Sequence, residues 1–285
     1  RDNWQSELSY LFKKEFFDTS PYRYGPLGEK DTVEDITRKD VVEFYRHHAI
    51  PEQSVVTIFG DVEAEQAKEL VEKQFGTLPP EDVPDRTIKR ERPRESEKTV
   101  DIPVDRQISA VMMGYPGMAL TNSKDRFAME VLDAVLSGIG YPGGWLQEAL
   151  RGGDRDLVYV VHAFNFMGLE PGYFGIMAAS SPSTMDRVIA IIKNNVDRIK
   201  NGDVNKETLS TAKNMCVTMK KLQNQTNADM ALQHGLDELY GLGYGFPDTY
   251  EARIGKVTVK DLKRVAQKYL KNPLILRLNG NQMGF

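Results

Sequence analysis

Residues 36–40 read Ile-Thr-Arg-Lys-Asp, and after a short helical pattern residues 54–60 read Ser-Val-Val-Thr-Ile-Phe-Gly. About 221 residues later the same order recurs, with Val-Thr-Val-Lys-Asp at 257–261 and Leu-Ile-Leu-Arg-Leu-Asn-Gly at 274–280. In each copy a helix of similar length connects the two phrases. A period this long indicates a duplicated domain rather than a solenoid of short repeats.

The two copies differ in the length of sequence that precedes them. Roughly 125 residues of predicted strand and helix precede the second copy, whereas the first begins close to Arg1. We therefore expect about one and a half repeats, with the native N-terminus upstream of Arg1. Residues 1–80 are predicted to be the C-terminal part of a truncated first α/β domain, 81–98 a charged linker, and 99–285 a complete second α/β domain. The first part is not expected to fold alone, because its one predicted strand, 55–59, lacks partners.

Composition excludes several classes of protein. The 285 residues are 40% hydrophobic and 27% charged, which is enough apolar material for two compact units. A net charge of −4 is too mild to indicate a nucleic-acid or membrane-surface partner. No apolar run approaches the roughly 18 residues of a membrane span. The only cysteine, Cys216, falls on the apolar stripe of a helical pattern and is expected to be a small core residue.

The predicted linker carries charges of both signs. Within residues 81–98 the basic side chains alternate with acids, and two prolines interrupt the stretch. Nucleic-acid binding is one interpretation of its arginines and lysines, and a solvated linker is the interpretation we favour.

The second domain reads as an α+β fold. Apolar runs predict strands at 102–115, 157–166, 173–179 and 274–279, and helical periodicity predicts a helix at 125–136. A glycine-rich turn at residues 138–144 leads to a short helix that ends near Arg151, and further helices follow the hairpin. Strands joined by a hairpin, with helices gathered in runs, indicate an antiparallel or mixed sheet covered by helices on one face.

The four histidines do not form a recognisable metal-binding motif. His47 and His48 are adjacent and diverge on a helix. His234 and Glu238 are four residues apart and share a helical face, which is compatible with a metal site but more often marks a surface contact. His162 alternates with apolar residues and is interpreted as a packed core histidine. No serine lies in a nucleophile elbow.

Several phrases, in their order, resemble the pitrilysin or insulinase family of zinc metallopeptidases. Those resembling the end of that family's first domain are Tyr24-Gly25-Pro26-Leu27-Gly28, Phe44-Tyr45, residues 55–61 and Phe75-Gly76-Thr77-Leu78-Pro79. Those resembling its second domain are Gly114-Tyr115-Pro116-Gly117, Leu146-Gln147-Glu148, Leu150-Arg151, Val158-Tyr159 and Gly172-Tyr173-Phe174-Gly175. The resemblance implies duplicated two-layer α/β domains of the LuxS/MPP-like metallopeptidase fold, and the internal duplication agrees with it.

The resemblance also implies where chemistry would occur. In that family an H-x-x-E-H helix and a distant glutamate hold zinc, and this motif is expected upstream of Arg1. The chain is therefore expected to bind no zinc and to have no catalytic residue, with zinc held by the full-length protein or by a partner. Arg151 and Tyr159 match an arginine and a tyrosine that contact peptide substrate in the family. Eight residues separate them, one more than is usual, and the alternative is a helix-end arginine and a tyrosine packed in the sheet.

Three functional hypotheses follow. The leading one is a fragment of a pitrilysin-like zinc metalloendopeptidase that supplies the second half of a peptide-binding chamber and requires the missing zinc-bearing half. The second is a non-catalytic partner subunit of such a peptidase, with a role in assembly or in holding substrate, and a homo-oligomer is a further possibility. The third is a small-molecule binding module, which only the glycine-rich turn favours.

Overall fold

A computed structural model describes residues 3–79, 91–92, 94–153 and 156–281. Its helices are Trp4–Phe16 (α1), Lys30–Glu34 (α2), Arg38–His48 (α3), Ala64–Phe75 (α4), Arg126–Ser137 (α5), Gly144–Arg151 (α6), Met185–Asn201 (α7), Lys206–Gln223 (α8), Asn227–Leu239 (α9), Tyr250–Lys256 (α10) and Val259–Tyr269 (α11). Its strands are Lys98–Pro103 (β1), Ser109–Pro116 (β2), Val160–Phe166 (β3), Tyr173–Ser180 (β4) and Leu274–Asn279 (β5). None of the described helices is both long enough and apolar enough to cross a membrane.

The strands form one mixed sheet in the order β1-β5-β2-β4-β3, in which β1 and β5 are parallel and the other neighbours antiparallel. The predicted mixed sheet, with the last strand inside it, is confirmed. The single strand predicted at 102–115 was wrong, because β1 and β2 are separate strands with β5 between them. Pro103 ends β1, and the chain then turns through Val104, whose N–H donates to the Asn279 carbonyl at 2.9 Å. Sequence could not indicate this insertion, since β5 comes from the other end of the domain.

Helices α5, α7 and α11 cover one face of this sheet. α11 packs against α7 and α5, and α7 packs against β2 and β4. Successive side chains of a strand point to opposite faces. Arg277 of β5 contacts Asp186 of α7 at 2.9 Å, which places the odd-numbered side chains of β5 on the helix-covered face. The predicted helix layer is confirmed, and so is the burial of Cys216 on α8.

Helix α1 covers the opposite face, which the sequence did not predict. Its apolar residues Leu8 and Phe12 are fully buried in a cluster with the even-numbered side chains of β5 and β2. The Phe12 ring lies directly over Gly114 of β2, where a Cβ atom would come within 2.0 Å of it. Its centroid is 4.9 Å from that of Tyr173. The glycine therefore provides the space in which the helix approaches the sheet.

Two residues of the predicted linker bind the end of α1. Arg94 Nη2 donates to the carbonyls of Glu15 and Phe16, at 2.8 and 3.1 Å. These carbonyls are at the C-terminus of the helix, where the intrahelical partners are missing and a cation is favourable. The Glu91 carboxylate accepts from the Thr19 amide at 2.6 Å. Residues 80–90 and 93 of the predicted linker region lie outside the described residues.

The first compact unit contains the sheet, α1 and the helices that cover the sheet. It comprises residues 1–24, 89–219 and 251–285. The second unit comprises 25–88 and 220–250. The domain division predicted above concerns the repeats of a longer protein, and it stays a prediction.

In the second unit the predicted strand at 55–59 was wrong. Residues 54–59 belong to no helix and pair with no described strand. The Thr57 hydroxyl donates to the Ala231 carbonyl of α9 at 2.8 Å, and the Phe59 ring lies 5.0 Å from the His234 ring. A strand requires a neighbour that accepts and donates along its ladder. The segment at 54–59 has the sequence of a strand, but no strand lies beside it among the described residues.

The duplicated helices α3 and α11 are alike in construction. Each has 11 residues and begins with a capping box, formed by Thr37 with Asp40 in α3 and by Thr258 with Asp261 in α11. The duplication inferred from the sequence is therefore visible in the local structure.

The two helices differ in what covers them. Leu262, Val265 and Ala266 of α11 are fully buried beneath neighbouring elements of the first unit. The equivalent residues of α3 are exposed among the described residues, at 57% for Val41, 66% for Phe44 and 68% for Tyr45. The equivalent apolar face is therefore buried in the second copy and exposed in the first.

Candidate substrate-contacting site

Arg151 is the last residue of α6, which the sheet and the glycine-rich turn position. Leu146 and Leu150 are fully buried and fix the helix against the first unit. Arg151 itself is exposed, and its Nη1 donates to the carbonyl of Tyr159 at 3.4 Å. The remaining guanidinium N–H groups offer donors in a planar fork suited to carbonyl or carboxylate groups.

Tyr159 immediately precedes β3. Its backbone N–H donates to the Ala179 carbonyl at 2.8 Å, so the main chain is attached to β4. Its side chain is 62% exposed. The alternative interpretation, in which Tyr159 is packed in the sheet, is therefore wrong.

The structure places Arg151 and Tyr159 next to each other but joins them through a main-chain carbonyl. Residues 154 and 155 of the connecting loop lie outside the described residues. Whether both side chains converge on one peptide stays a prediction.

The glycine-rich turn between α5 and α6 is explained by backbone conformation. Gly138 and Gly144 have φ values of +78° and +77°, which disfavour any side chain. A Cβ atom at Gly144 would also come within 2.7 Å of the Leu136 main chain. The turn therefore closes tightly on the end of α5, and this requirement accounts for its glycines without a bound ligand.

An electrostatic cluster that the sequence did not reveal attaches α11 to the start of α5. The carboxylate of Asp125 is 1% exposed and contacts the Arg264 guanidinium, the Lys268 ammonium at 2.7 Å and the Tyr269 hydroxyl at 2.7 Å. Burial alone would raise the pKa of Asp125, but hydrogen bonds from these groups outweigh it and hold the pKa well below its usual range. Nothing in the spacing of residues 125 and 264–269 indicates the cluster, because its members come from opposite ends of the domain.

Three of the four histidines, His47, His48 and His234, make local contacts. His234 is buried, and its Nδ1 lies 2.8 Å from the Tyr244 carbonyl, which excludes the surface contact predicted for it. His47 Nδ1 lies 2.8 Å from the Glu43 carbonyl, and the His48 ring packs on Phe44.

The described residues do not fit a zinc ion. Within 3–79, 91–92, 94–153 and 156–281, no three His, Cys, Asp or Glu side chains are grouped as ligands. A zinc site in proteins uses three or four such ligands around one point.

A family profile described as "Peptidase M16 inactive domain" matches residues 35–216. The chain belongs to this family. The resemblance to pitrilysin-type metallopeptidases is thereby confirmed, and the chain corresponds to a non-catalytic part of zinc-protease-like proteins. The M16 match covers the end of the predicted first domain as well as a large part of the second.

Curated relatives carry related names. An uncharacterized zinc protease of Streptomyces coelicolor is 27% identical over 91% of this chain and 57% of its own length. The zinc protease PqqE of Helicobacter pylori is 25% identical over 90% of this chain and 59% of its own length. A probable inactive metalloprotease, YmfF of Bacillus subtilis, is 21% identical over 90% of this chain and 58% of its own. The chain thus spans less than two thirds of these relatives.

Solved structures share the fold. A protease from Helicobacter pylori superposes with a TM-score of 0.84 at 21% identity, over 96% of this chain and 66% of that one. A peptidase M16 inactive domain from Pseudomonas fluorescens gives a TM-score of 0.81 at 17% identity, over 98% of this chain and 65% of that one. At these identities the likeness shows the fold alone.

Proposed function

We propose that this chain forms the non-catalytic half of the peptide-binding chamber of an M16-type zinc endopeptidase. The zinc-bearing half would belong to the remainder of a longer protein or to a partner subunit. The observation that carries the proposal is the difference between the duplicated helices, buried in one copy and uncovered in the other.

The exposed apolar face of α3 supports the proposal of a zinc-bearing half that covers it. Val41, Phe44 and Tyr45 occupy the positions of three fully buried residues of α11. Burying each such side chain stabilises by roughly 1.5–3 kcal/mol. Helices equivalent to α5 and α7, contributed by the zinc-bearing half, would cover α3 as those helices cover α11.

The segment at 54–59 supports the same proposal. Its duplicate, β5, has a parallel neighbour on one side and an antiparallel neighbour on the other. The segment at 54–59 is apolar like β5 but has no ladder partner among the described residues. Strands of the zinc-bearing half would pair with it and complete the first sheet.

Arg151 and Tyr159 are the proposed contacts with peptide substrate. An arginine fork can hold main-chain carbonyls of an extended peptide. A phenol can donate to a carbonyl oxygen on which negative charge develops, and this interaction strengthens in the transition state. Tyr159 is exposed and its main chain is fixed to β4, so its phenol is available while its position is defined.

The test uses the longer protein that contains this chain and an internally quenched peptide as substrate. Tyr159→Phe is expected to lower kcat about 100-fold with little change in KM, since it removes a donor used in the transition state. Arg151→Ala is expected to raise KM. Tyr24→Phe is the matched control, because Tyr24 is 61% exposed against 62% for Tyr159 and has no proposed contact with substrate.

Unchanged kcat in Tyr159→Phe would assign this residue no role in cleavage. The upstream sequence separates the leading hypothesis from the second. A protein that carries H-x-x-E-H there and cleaves the peptide is the peptidase, whereas one that lacks the motif and cleaves nothing is a non-catalytic partner subunit.

A further inference from the structure

A buried carboxyl group lies in the last two turns of α5. Asp133 is 5% exposed and Ser137, one turn later, is 3% exposed. The Ser137 Oγ is 2.8 Å from Asp133 Oδ1 and 3.2 Å from the main-chain oxygen of Ala163. Ala163 belongs to β3, which forms one edge of the sheet. Ser137 is also the last residue before the glycine-rich turn.

The Ser137 hydroxyl has one hydrogen for two acceptors. If Asp133 is ionised, the hydroxyl donates to the carboxylate and the Ala163 oxygen loses this donor. If Asp133 is protonated, its own O–H donates to the Ser137 oxygen, and the Ser137 hydrogen is free for Ala163. Both observed contacts become hydrogen bonds only when the carboxyl is protonated.

The surroundings of Asp133 favour the protonated form. Burial is the main cause that raises the pKa of Asp133 to about 7, and the nearby Glu130 carboxylate raises it further. The hydrogen bond with Ser137 acts in the opposite direction and lowers it. Glu130 is paired with Arg126 at 3.2 Å. From α8, the buried thiol of Cys216 approaches the Glu130 main chain at 3.7 Å.

Cations on the other helices packed against α5 have partners elsewhere. Arg264 and Lys268 of α11 contact Asp125 at the start of α5. Arg151 of α6 binds the Tyr159 carbonyl, and Arg198 of α7 stacks at 3.8 Å on the Trp145 ring. Each of these four cations is thus in contact with a group other than Asp133.

We propose that a proton shared by Asp133 and Ser137 fastens the end of α5, and the glycine-rich turn that follows it, to the edge strand β3, and that losing this proton loosens the attachment. The device is independent of the peptidase role. It makes the attachment of the turn sensitive to pH in the physiological range.

The size of the effect follows from linkage. In an opened state the carboxyl would be solvated, with an ordinary aspartate pKa near ~3.9, against about 7 when closed. The opening equilibrium then rises about tenfold between roughly pH 6 and pH 8. The attachment therefore weakens as pH rises from about 4 towards 7, and it changes little at higher pH.

Hydrogen exchange on the full-length protein at pH 6 and pH 8 tests the proposal, with rates normalised to the intrinsic exchange at each pH. In the wild type, protection of peptides covering 134–146 and 160–166 should fall about tenfold between the two pH values. Peptides covering 98–103, in β1 at the opposite edge of the sheet from β3, are the reference and should not change. In Asp133→Asn the amide donates permanently to Ser137, so protection should be high at both pH values.

A second variant separates the device from general stability. Ser137→Ala removes the link to Ala163 and should leave both regions less protected than in the wild type at pH 6. The same pH dependence in Asp133→Asn as in the wild type would overturn the proposal. A direct measurement that needs no variant is the ¹³Cγ titration of Asp133, where a midpoint near 4 rather than near 7 would also overturn it.

Discussion

The packing of Phe12 over Gly114 predicts how α1 contributes to stability. Phe12 is fully buried, and its ring occupies the place where a side chain at residue 114 would lie. Two single substitutions disturb this contact in opposite ways. Phe12→Ala removes the ring and leaves a cavity, and Gly114→Ala inserts a methyl group where the ring already is.

The expected magnitudes come from the burial of Phe12 and from the short approach to residue 114. Phe12→Ala should lower the free energy of unfolding by about 3–5 kcal/mol, the usual cost of truncating a buried phenylalanine. Gly114→Ala should cost about 1–3 kcal/mol, because a Cβ atom 2.0 Å from the ring forces the helix to shift. In the double variant the new methyl group enters the cavity, so its cost should be smaller than the sum by about 1 kcal/mol or more.

Urea denaturation of the three variants, followed by circular dichroism, measures these values. Phe44→Ala is the matched control, because Phe44 on α3 is exposed and its truncation should change stability by no more than about 0.5 kcal/mol. Strict additivity in the double variant would refute the proposed contact. A cost below about 1 kcal/mol for Phe12→Ala would show that α1 does not lie on the sheet.

Three further predictions concern stability. Asp125→Asn should lower the free energy of unfolding at pH 7 by about 1.5–3 kcal/mol. Because the folded pKa of Asp125 is lowered, its contribution is present above the unfolded pKa near ~3.9 and is lost as pH falls, so melting temperatures of wild type and variant should converge in acid. For Asp133 the sign is opposite, because its folded pKa is raised. Between roughly pH 6 and pH 8 the free energy of unfolding of the wild type should fall by about 1.4 kcal/mol relative to that of Asp133→Asn. The same pH dependence of unfolding in the two proteins would contradict this. Thr258→Ala removes the N-cap of α11 and should cost about 1 kcal/mol in urea denaturation, and no loss would mean that the capping hydrogen bonds do not stabilise the helix.

Features determined by nearby residues could be predicted from the sequence. The capping box and apolar stripe specify α11 locally, and the apolar run at 274–279 specifies β5, so both were predicted correctly. The glycines of the turn before α6 were also recognisable. Each depends on residues within a few positions of one another.

Features that depend on distant partners could not be predicted. The run at 102–115 was read as one strand because its interruption depends on β5, which inserts between β1 and β2. The segment at 55–59 has strand character but pairs with no described neighbour. Nothing in the sequence identified the face of the sheet that α1 covers.

The candidate site divides in the same way. The resemblance alone selected Arg151 and Tyr159, and the structure adds that a main-chain carbonyl joins them. Asp125 is bound by residues more than 130 positions away, so its role was invisible in the sequence. Asp133 did leave a signal, since it interrupts the apolar run at 131–136 at a position that faces the core.

Solvent accessibility of the α3 face tests the proposed function most directly. Hydroxyl-radical footprinting would compare Phe44 and Tyr45 in this chain with the same residues in the longer protein that includes the proposed zinc-bearing half. We expect both to be oxidised readily in this chain, where they are 66% and 68% exposed, and to become as protected in the longer protein as the face of α11. Equal oxidation of Phe44 and Tyr45 in the two proteins would contradict the proposal that the zinc-bearing half completes this repeat.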